Sequence, residues 1–267
     1  MTPNIKMSSN SEYSVYDYLE MAEDAHSKKQ TLEYLEKALE IEPDNVDALM
    51  MKSDLTLKDP LSHIKELEKI AEKERMKLEK QNFFKDCMGD FWGFTETRPY
   101  MRVRYELIKC YMDLGMMRLA EQHCVDMLKL CENDNLGLRY TLMHIYAYFE
   151  DEDALLKLYE KFPEDNAMTL LPLSVLYYKR LDLTTAAGYL EKLKKNNKDL
   201  KDFINALNND ELDDILDEMS PYGYQPGTAE ELVAEVEGNH FLFIQTPGYF
   251  DWANRELKRK KQGSKKK

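Results

Sequence analysis

Three alanines at nearly equal spacing place the strongest constraint on the fold of this chain. Ala120, Ala154 and Ala187 follow one another at intervals of 34 and 33 residues. Each lies in one of three similar segments, GMMRLAEQHCVDMLKL, YFEDEDALLKLYEKF and LDLTTAAGYLEKLKK. A period of about 34 residues is typical of helix pairs that stack as repeats, with a small residue where the two helices cross. The period therefore predicts a helical scaffold that binds partners along a surface, rather than an enzyme with a catalytic pocket.

Composition supports a helical protein without membrane spans. The chain has 267 residues, of which 43 % are hydrophobic, and only 10 glycines and 9 prolines, which argues against a turn-rich β fold. No stretch approaches the roughly 18 apolar residues that a membrane-spanning helix needs. The first residues, MTPNIKMSSNSEYS, lack the apolar region of a secretory signal. We therefore expect a cytoplasmic protein that does not contact a membrane.

The net charge of −13 is distributed unevenly. The last ten residues, KRKKQGSKKK, contain seven basic residues and no acid, which leaves 30 basic residues against 50 acidic ones in the rest of the chain. An acidic body repels nucleic acid and anionic membranes. Only the tail is suited to a phosphate backbone or to lipid headgroups. The simpler interpretation of the tail is a disordered, solubilising end, so nucleic acid is not the expected partner.

The repeat period and the turn residues predict six regions. They are a disordered N-terminus at 1–12, an N-terminal helical region with one hairpin at 13–82, an ordered aromatic loop at 83–99, three core repeats at 100–201, C-terminal capping helices at 202–257 and the basic tail at 258–267. Capping boxes or N-cap residues are expected at Thr228–Glu231 and at Thr246, and Pro172 is expected in the first turn of its helix.

One segment of the N-terminal region is close to a known consensus. In KKQTLEYLEKALEIEPDN, the stripe of Leu32, Leu35, Ala38 and Leu39 is followed by Pro43 in a turn. This pattern resembles the tetratricopeptide (TPR) consensus. In the core repeats, the corresponding buried positions are expected at Leu107, Ile108, Tyr111, Ala120, Cys124 and Met127; at Leu138, Leu142, Ile145, Ala154 and Leu158; and at Leu171, Val175, Tyr178, Ala187 and Leu190.

Four further segments resemble a particular family. They are FWGFTETRPYMRVR (91–104), ENDNLGLRYTL (132–142), SPYGYQPGTAEELVAEVEGN (220–239) and TPGYFDWA (246–253). They are similar to a bacterial TPR family that is grouped with suppression-of-tumorigenicity-like TPR proteins, with ETRPYMR and NDNxGxRY as the most specific words. The resemblance covers roughly three fifths of the chain and implies a fold and a class, not an activity. The chain departs from the family's small-residue pattern around Thr184–Gly188. We expect an all-α, TPR-like right-handed helical-hairpin solenoid with C-terminal capping helices.

Cations and aromatic residues at the starts of two repeats are the candidate partner-binding residues. In a TPR stack the first helices of the repeats line the concave groove, which predicts partner contacts from Arg98, Arg102, Tyr105, Lys109, Arg139, Tyr140 and Met143. Arginine forks that grip two carboxylate oxygens suit a protein or peptide partner with acidic groups. The alternative is that these arginines pair with local acids such as Glu96, Glu106 and Asp134, and stabilise the structure.

Signatures of enzymes, cofactors and metals are absent from the sequence. There is no GxxxxGK[ST], GxGxxG, HExxH or GxSxG motif, and the five histidines are scattered. Cys87, Cys110, Cys124 and Cys131 lack metal-ligand spacing and are expected to be reduced packing residues, so no cofactor is expected. The sequence favours a protein-interaction adaptor. The alternatives are a nucleic-acid-associated protein that uses its basic tail and, less favoured, an enzyme on a TPR-like scaffold.

Overall fold

The fold is all-α. The computed structural model describes residues 13–209, 211, 212, 215 and 223–259. Within these residues the chain forms fifteen helices and no strand, which confirms the predicted class. The only extended pairing in this part of the chain is an isolated bridge between Asp90 and Cys131. The predicted disordered N-terminus at 1–12 and residues 260–267 of the basic tail lie outside the described residues.

The chain divides into two compact units. The first comprises the described residues of Met1–Met116 together with Lys129–Asn133. The second comprises Met117–Leu128 and the described residues of Asp134–Lys267. The division falls within the first of the three predicted core repeats, between its two helices.

Six helices form most of the first unit: α1 (Val15–Glu23), α2 (Lys28–Ile41), α3 (Val46–Thr56), α4 (Pro60–Lys80), α5 (Phe83–Asp86) and α6 (Arg98–Asp113). Helices α1 and α2 pack on each other through Leu19, Leu35 and Ala38, as the TPR-like stripe predicts. Asn45 caps α3, because its side chain accepts a hydrogen bond from the amide of Ala48. Helix α4 packs against α6, and its buried residues include Ile64, Leu67, Ile70 and Ala71.

The aromatic segment at 83–99 belongs to the first unit, and it contains α5 and the first residues of α6. Phe91 is fully buried, and its ring contacts Phe84 and Tyr100 at centroid distances of 4.9 and 6.4 Å. Its amide donates a hydrogen bond to the carbonyl of Leu130, 2.9 Å away. Ring packing and this backbone contact hold in place the chain that leads into α6.

The remaining helices lie mainly in the second unit: α7 (Met117–Leu130), α8 (Leu138–Phe149), α9 (Glu152–Lys161), α10 (Ala167–Lys179), α11 (Leu183–Asn196), α12 (Leu200–Asn209), α13 (Ala229–Gly238), α14 (His240–Ile244) and α15 (Tyr249–Lys258). Sequence neighbours α8 and α9 pack together, as do α10 and α11. Tyr249 of α15 is buried, and its hydroxyl donates to Ser174 of α10 at 2.8 Å. The C-terminal helices therefore pack on the hairpins of this unit.

Several local predictions need correction. Ala154 and Ala187 are partly exposed, while the adjacent Leu155 and Ala186 are fully buried. For two of the three equally spaced alanines, the buried position is therefore one residue away. Tyr178 is likewise only partly buried. Pro172 is the sixth residue of α10 rather than a first-turn residue, because the helix begins at Ala167.

The N-caps predicted for the two C-terminal helices also need correction: Thr228 is the N-cap residue of α13 but forms no capping box, and Thr246 is not the N-cap of α15. The Thr228 hydroxyl donates to the carbonyl of Gln225 and makes no cap bond to α13. Thr246 donates to the carbonyl of Leu242, and Gly248 is the residue that precedes α15. Both hydroxyls donate to backbone carbonyls that precede the helix. Neither hydroxyl therefore accepts a hydrogen bond from the amides of the first helical turn.

Candidate functional site

The first turn of α6 places two predicted site residues on one face. The helix begins at Arg98, so Arg98 and Arg102 are one turn apart, and Pro99 lies where no helical amide is needed. Thr97 is buried, and its hydroxyl donates to the carbonyl of Phe91 and, at 3.0 Å, to that of Phe94. The start of the helix is therefore fixed by the aromatic loop.

Arg98 has no ionic partner among the described residues. Its Nε donates to the carbonyl of Trp92 at 2.8 Å, and its guanidinium lies 5.7 Å from the Trp92 ring centroid. The side chain is thus oriented by a neutral carbonyl and an aromatic ring, which leave its positive charge uncompensated. Such a guanidinium suits a carboxylate from a ligand.

Arg102 is held by an acid that is distant in sequence. Its Nε and Nη2 donate to the two carboxylate oxygens of Asp47, at 2.7 and 2.5 Å. Asp47 lies in the first turn of α3, where a carboxylate also favours the positive end of the helix dipole. Local pairing of Arg102 with Glu96 or Glu106 was the predicted alternative. The observed pair instead joins α3 to α6.

Both arginines line an open groove of about 750 Å³ in the first unit. We call this the Arg98 groove. Its walls include Tyr16, Ile41, Glu42, Asp47, Glu74, Lys77, Glu96, Arg98, Pro99 and Arg102. Tyr16 is 77 % exposed and Ile41 is 51 % exposed, so apolar groups at this groove contact water. Large exposed apolar side chains beside an open groove are suited to a partner.

The charge of the Arg98 groove is mixed rather than basic. Arg102 is paired with Asp47, and Lys77 is paired with the buried Glu74 at 3.1 Å. Glu42 and Glu96 accept hydrogen bonds from neutral side chains only, and Arg98 has no acidic partner in the described part of the chain. The groove therefore offers one uncompensated cation and two uncompensated carboxylates. The Arg98 groove is therefore not purely basic, because the α2–α3 turn and α4 supply acids that the repeat pattern does not reveal.

Tyr105 and Lys109 lie further along α6 and do not line the Arg98 groove. Lys109 forms an ion pair with Glu106 at 2.5 Å, and its ammonium lies 5.7 Å from the Tyr105 ring centroid. Glu106 was predicted as a partner of the arginines, and it pairs with this lysine instead. Partner binding by Tyr105 and Lys109 stays a prediction.

In the second unit, Arg139 and Tyr140 belong to a dense polar network around Asp134. The buried Asp134 carboxylate accepts from the amides of Leu138 and Arg139, at 2.7 and 2.9 Å, and so anchors the start of α8. Arg139 also donates to Asp134 at 3.0 Å and to Glu164 at 3.1 Å. The Tyr140 hydroxyl donates to Glu164, and burial together with this bond raises its pKa. The NDNxGxRY motif therefore forms a folded turn. A binding role for Arg139 and Tyr140 stays a prediction.

Met143 is buried, with 1 % of its surface exposed, so it does not present a surface to a partner in this structure. The next residue, His144, is fully buried, and its Nε2 lies 2.8 Å from Oε1 of the buried Glu235. In the sequence, His144 is only one of five scattered histidines. Its position within the apolar run LRYTLMHIYAYF was the signal that favoured burial.

Neither a metal site nor a membrane span is found in the described residues. Within them, no group of three His, Cys, Asp or Glu side chains is arranged to hold a metal ion. No helix of this part of the chain has the length and apolarity to cross a bilayer. A scan against protein-family models and a search of curated proteins both give no match to this chain.

Proposed function

We propose that this chain is a protein-interaction adaptor built on a TPR-like helical-hairpin solenoid, and that the Arg98 groove binds a peptide segment of a partner protein. The observation that carries the proposal is the uncompensated Arg98 guanidinium in an open groove whose other cations are paired. The helix pairs α1–α2, α8–α9 and α10–α11, together with the period of about 34 residues, support the TPR-like architecture.

The lining of the groove defines the peptide that it would accept. A carboxylate of the peptide would pair with Arg98, and a flanking cation would lie near Glu42 or Glu96. An apolar side chain would cover the exposed parts of Tyr16 and Ile41. The proposal therefore names a segment with an acid, a nearby base and an apolar anchor, and it assigns no catalytic residue to the chain.

Selection from a display library of random 12-residue peptides on the full-length protein tests this proposal. Enriched peptides are synthesised with a fluorophore, and their affinities are measured by fluorescence anisotropy for the wild type and for Arg98→Gln. We expect Arg98→Gln to weaken binding roughly tenfold, since hydrogen bonds to charged groups are worth about 1.5–3 kcal/mol.

Lys29→Gln is the matched control. Lys29 lies on α2 in the same unit, is 88 % exposed at its side chain and does not line the groove. This variant removes one positive charge, as Arg98→Gln does, and should change the affinity less than twofold. Equal effects of the two substitutions, with unchanged circular dichroism, would contradict binding at Arg98.

A further inference from the structure

A second groove in the second unit has a different chemical character. It lies between the first turns of α11 and the last turns of α15 and has a volume of about 680 Å³. Leu183, Thr184 and Ala187 form the α11 side, and Trp252, Arg255 and Arg259 lie on the α15 side. We call this the α11–α15 groove. It shares no lining residue with the Arg98 groove.

The helical spacing explains why these side chains share the groove. On α15, Trp252 and Arg255 are three residues apart, and Arg259, four residues further on, is the C-cap residue of the helix; on α11, Leu183 and Ala187 are four residues apart. Residues at these spacings lie on one helical face. The two faces meet because α11 packs against α15. The groove is therefore built from regular helices and not from loops.

The floor of the groove is apolar and partly open to water. Leu183 is 44 % exposed at the start of α11. Trp252 is only 7 % exposed, and its ring is fixed against Tyr178 and Tyr249 at centroid distances of 5.1 and 5.6 Å. The leucine thus lies beside a rigid aromatic wall, which is an arrangement that can receive an apolar side chain.

The rim of the groove is cationic, in a protein whose net charge is −13. Arg255, Lys258 and Arg259 line it, against the single carboxylate of Glu256, and Glu256 is paired with Arg259. Among the described residues, Arg255 and Lys258 have no acidic partner. In sequence, five further lysines follow within residues 260–267. A cationic patch on an acidic body attracts acidic ligands to this groove.

We propose that the α11–α15 groove binds an acidic peptide segment of a partner protein, with an apolar anchor side chain on Leu183 and Ala187 and carboxylates on Arg255 and Lys258. Charge complementarity selects an acidic segment, and the apolar floor selects a peptide over a nucleic acid. Sequence-tolerant binding of single strands relies on bases stacked on exposed aromatic rings, and Trp252 is too buried for that role. Phosphate contacts alone would leave Leu183 without a function.

Defined probes on the full-length chain test the inference. The first probe is a fluorescein-labelled 12-residue peptide with one leucine among glutamates, and the second is the same peptide with serine in place of leucine. The third is a labelled single-stranded DNA of 20 nucleotides. Affinities are measured by fluorescence anisotropy for the wild type, Leu183→Ser, Arg255→Gln and Leu181→Ser. The last is the matched control, because Leu181 is 84 % exposed and does not line the groove.

We expect the leucine peptide to bind roughly tenfold more tightly than the serine peptide, since one apolar group in a pocket discriminates by about 10- to 200-fold. Leu183→Ser should remove this difference in affinity. Arg255→Gln should weaken the binding of both peptides, and Leu181→Ser should change the binding of neither.

Equal binding of the two peptides, no binding of either, or equal effects of Leu183→Ser and Leu181→Ser would overturn the inference. Tighter binding of DNA that is insensitive to Leu183→Ser would do so as well, and would assign the cations to nucleic acid. Arg98→Gln should leave these affinities unchanged, which separates this result from a failure of the Arg98 groove.

Discussion

His144 Nε2 lies 2.8 Å from Glu235 Oε1 inside the second unit, with the two side chains 0 % and 3 % exposed. The other ring nitrogen, Nδ1, lies 2.9 Å from the carbonyl oxygen of Tyr140. A carbonyl oxygen only accepts, so Nδ1 carries a proton and Nε2 faces the carboxyl group. The contact between Nε2 and Oε1 is close enough for an ion pair, although it is not a straight hydrogen bond. Helices α8 and α13 are thus joined by a contact between two buried polar side chains.

Glu235→Leu should destabilise the protein by about 3 kcal/mol or more, because removal of one partner leaves the other buried without compensation. Urea unfolding followed by circular dichroism measures this change. Glu237→Leu is the control on the same helix, since Glu237 is exposed. The double variant His144→Leu/Glu235→Leu should regain a large part of the loss. A cost that is the same for Glu235→Leu and Glu237→Leu would show that the pair does not contribute.

Asp134→Ala should cost about 3 kcal/mol of stability, because one buried carboxylate supports two backbone amides and the Arg139 guanidinium. Asp134 has a positive φ of 50°, which asparagine also tolerates. Asp134→Asn should therefore cost less than Asp134→Ala. Asn133→Ala, at the exposed neighbouring position, is the control, and urea unfolding is the measurement. Equal stabilities of Asp134→Ala and Asn133→Ala would contradict the role given to this network.

Local sequence patterns correctly predicted the all-α fold class and many of the buried positions. The stripe of Leu35 and Ala38 on α2 and the turn at Pro43 that follows it are recognisable because a helix and the turn after it are encoded by adjacent residues. The shift from Ala187 to Ala186 has a different origin. Two neighbouring alanines fit a period of about 34 residues almost equally well, and only packing against the partner helix selects one.

The candidate site was predicted only in part for a related reason. Arg98 and Arg102 can be identified from the sequence because they are one helical turn apart in the distinctive ETRPYMR motif. Asp47 is 55 residues from Arg102, so no local pattern indicates that their side chains meet. The same holds for Glu235, which lies 91 residues beyond His144. Single-sequence reasoning finds residues with the right chemistry, and the tertiary fold decides whether a charge is compensated.

Asp47→Ala should increase the affinity of the Arg98 groove for a peptide that carries a carboxylate by a few-fold. The substitution removes the carboxylate that occupies the Arg102 fork, and the fork then becomes available to the ligand. The stability cost should be only about 1 kcal/mol, since both side chains are partly exposed. Fluorescence anisotropy with a peptide selected on the wild type measures the affinity. Weaker binding of that peptide by Asp47→Ala than by the wild type would show that the ion pair supports the groove instead of competing with the ligand.

Cys110 should react slowly with alkylating reagents at neutral pH. Burial, and then the charges of Glu106 and Asp113, raise the pKa of its thiol to about 11. The reactive species is the thiolate, so at pH 7.5 its concentration should be roughly a hundredfold below that of an ordinary cysteine. The rate of iodoacetamide modification, followed by peptide mass spectrometry, should increase about tenfold for each pH unit up to pH 10. The same protein in concentrated urea is the control, because unfolding removes both the burial and the fixed carboxylates. Modification of the folded protein at pH 7.5 as fast as in urea would contradict the environment described for this thiol.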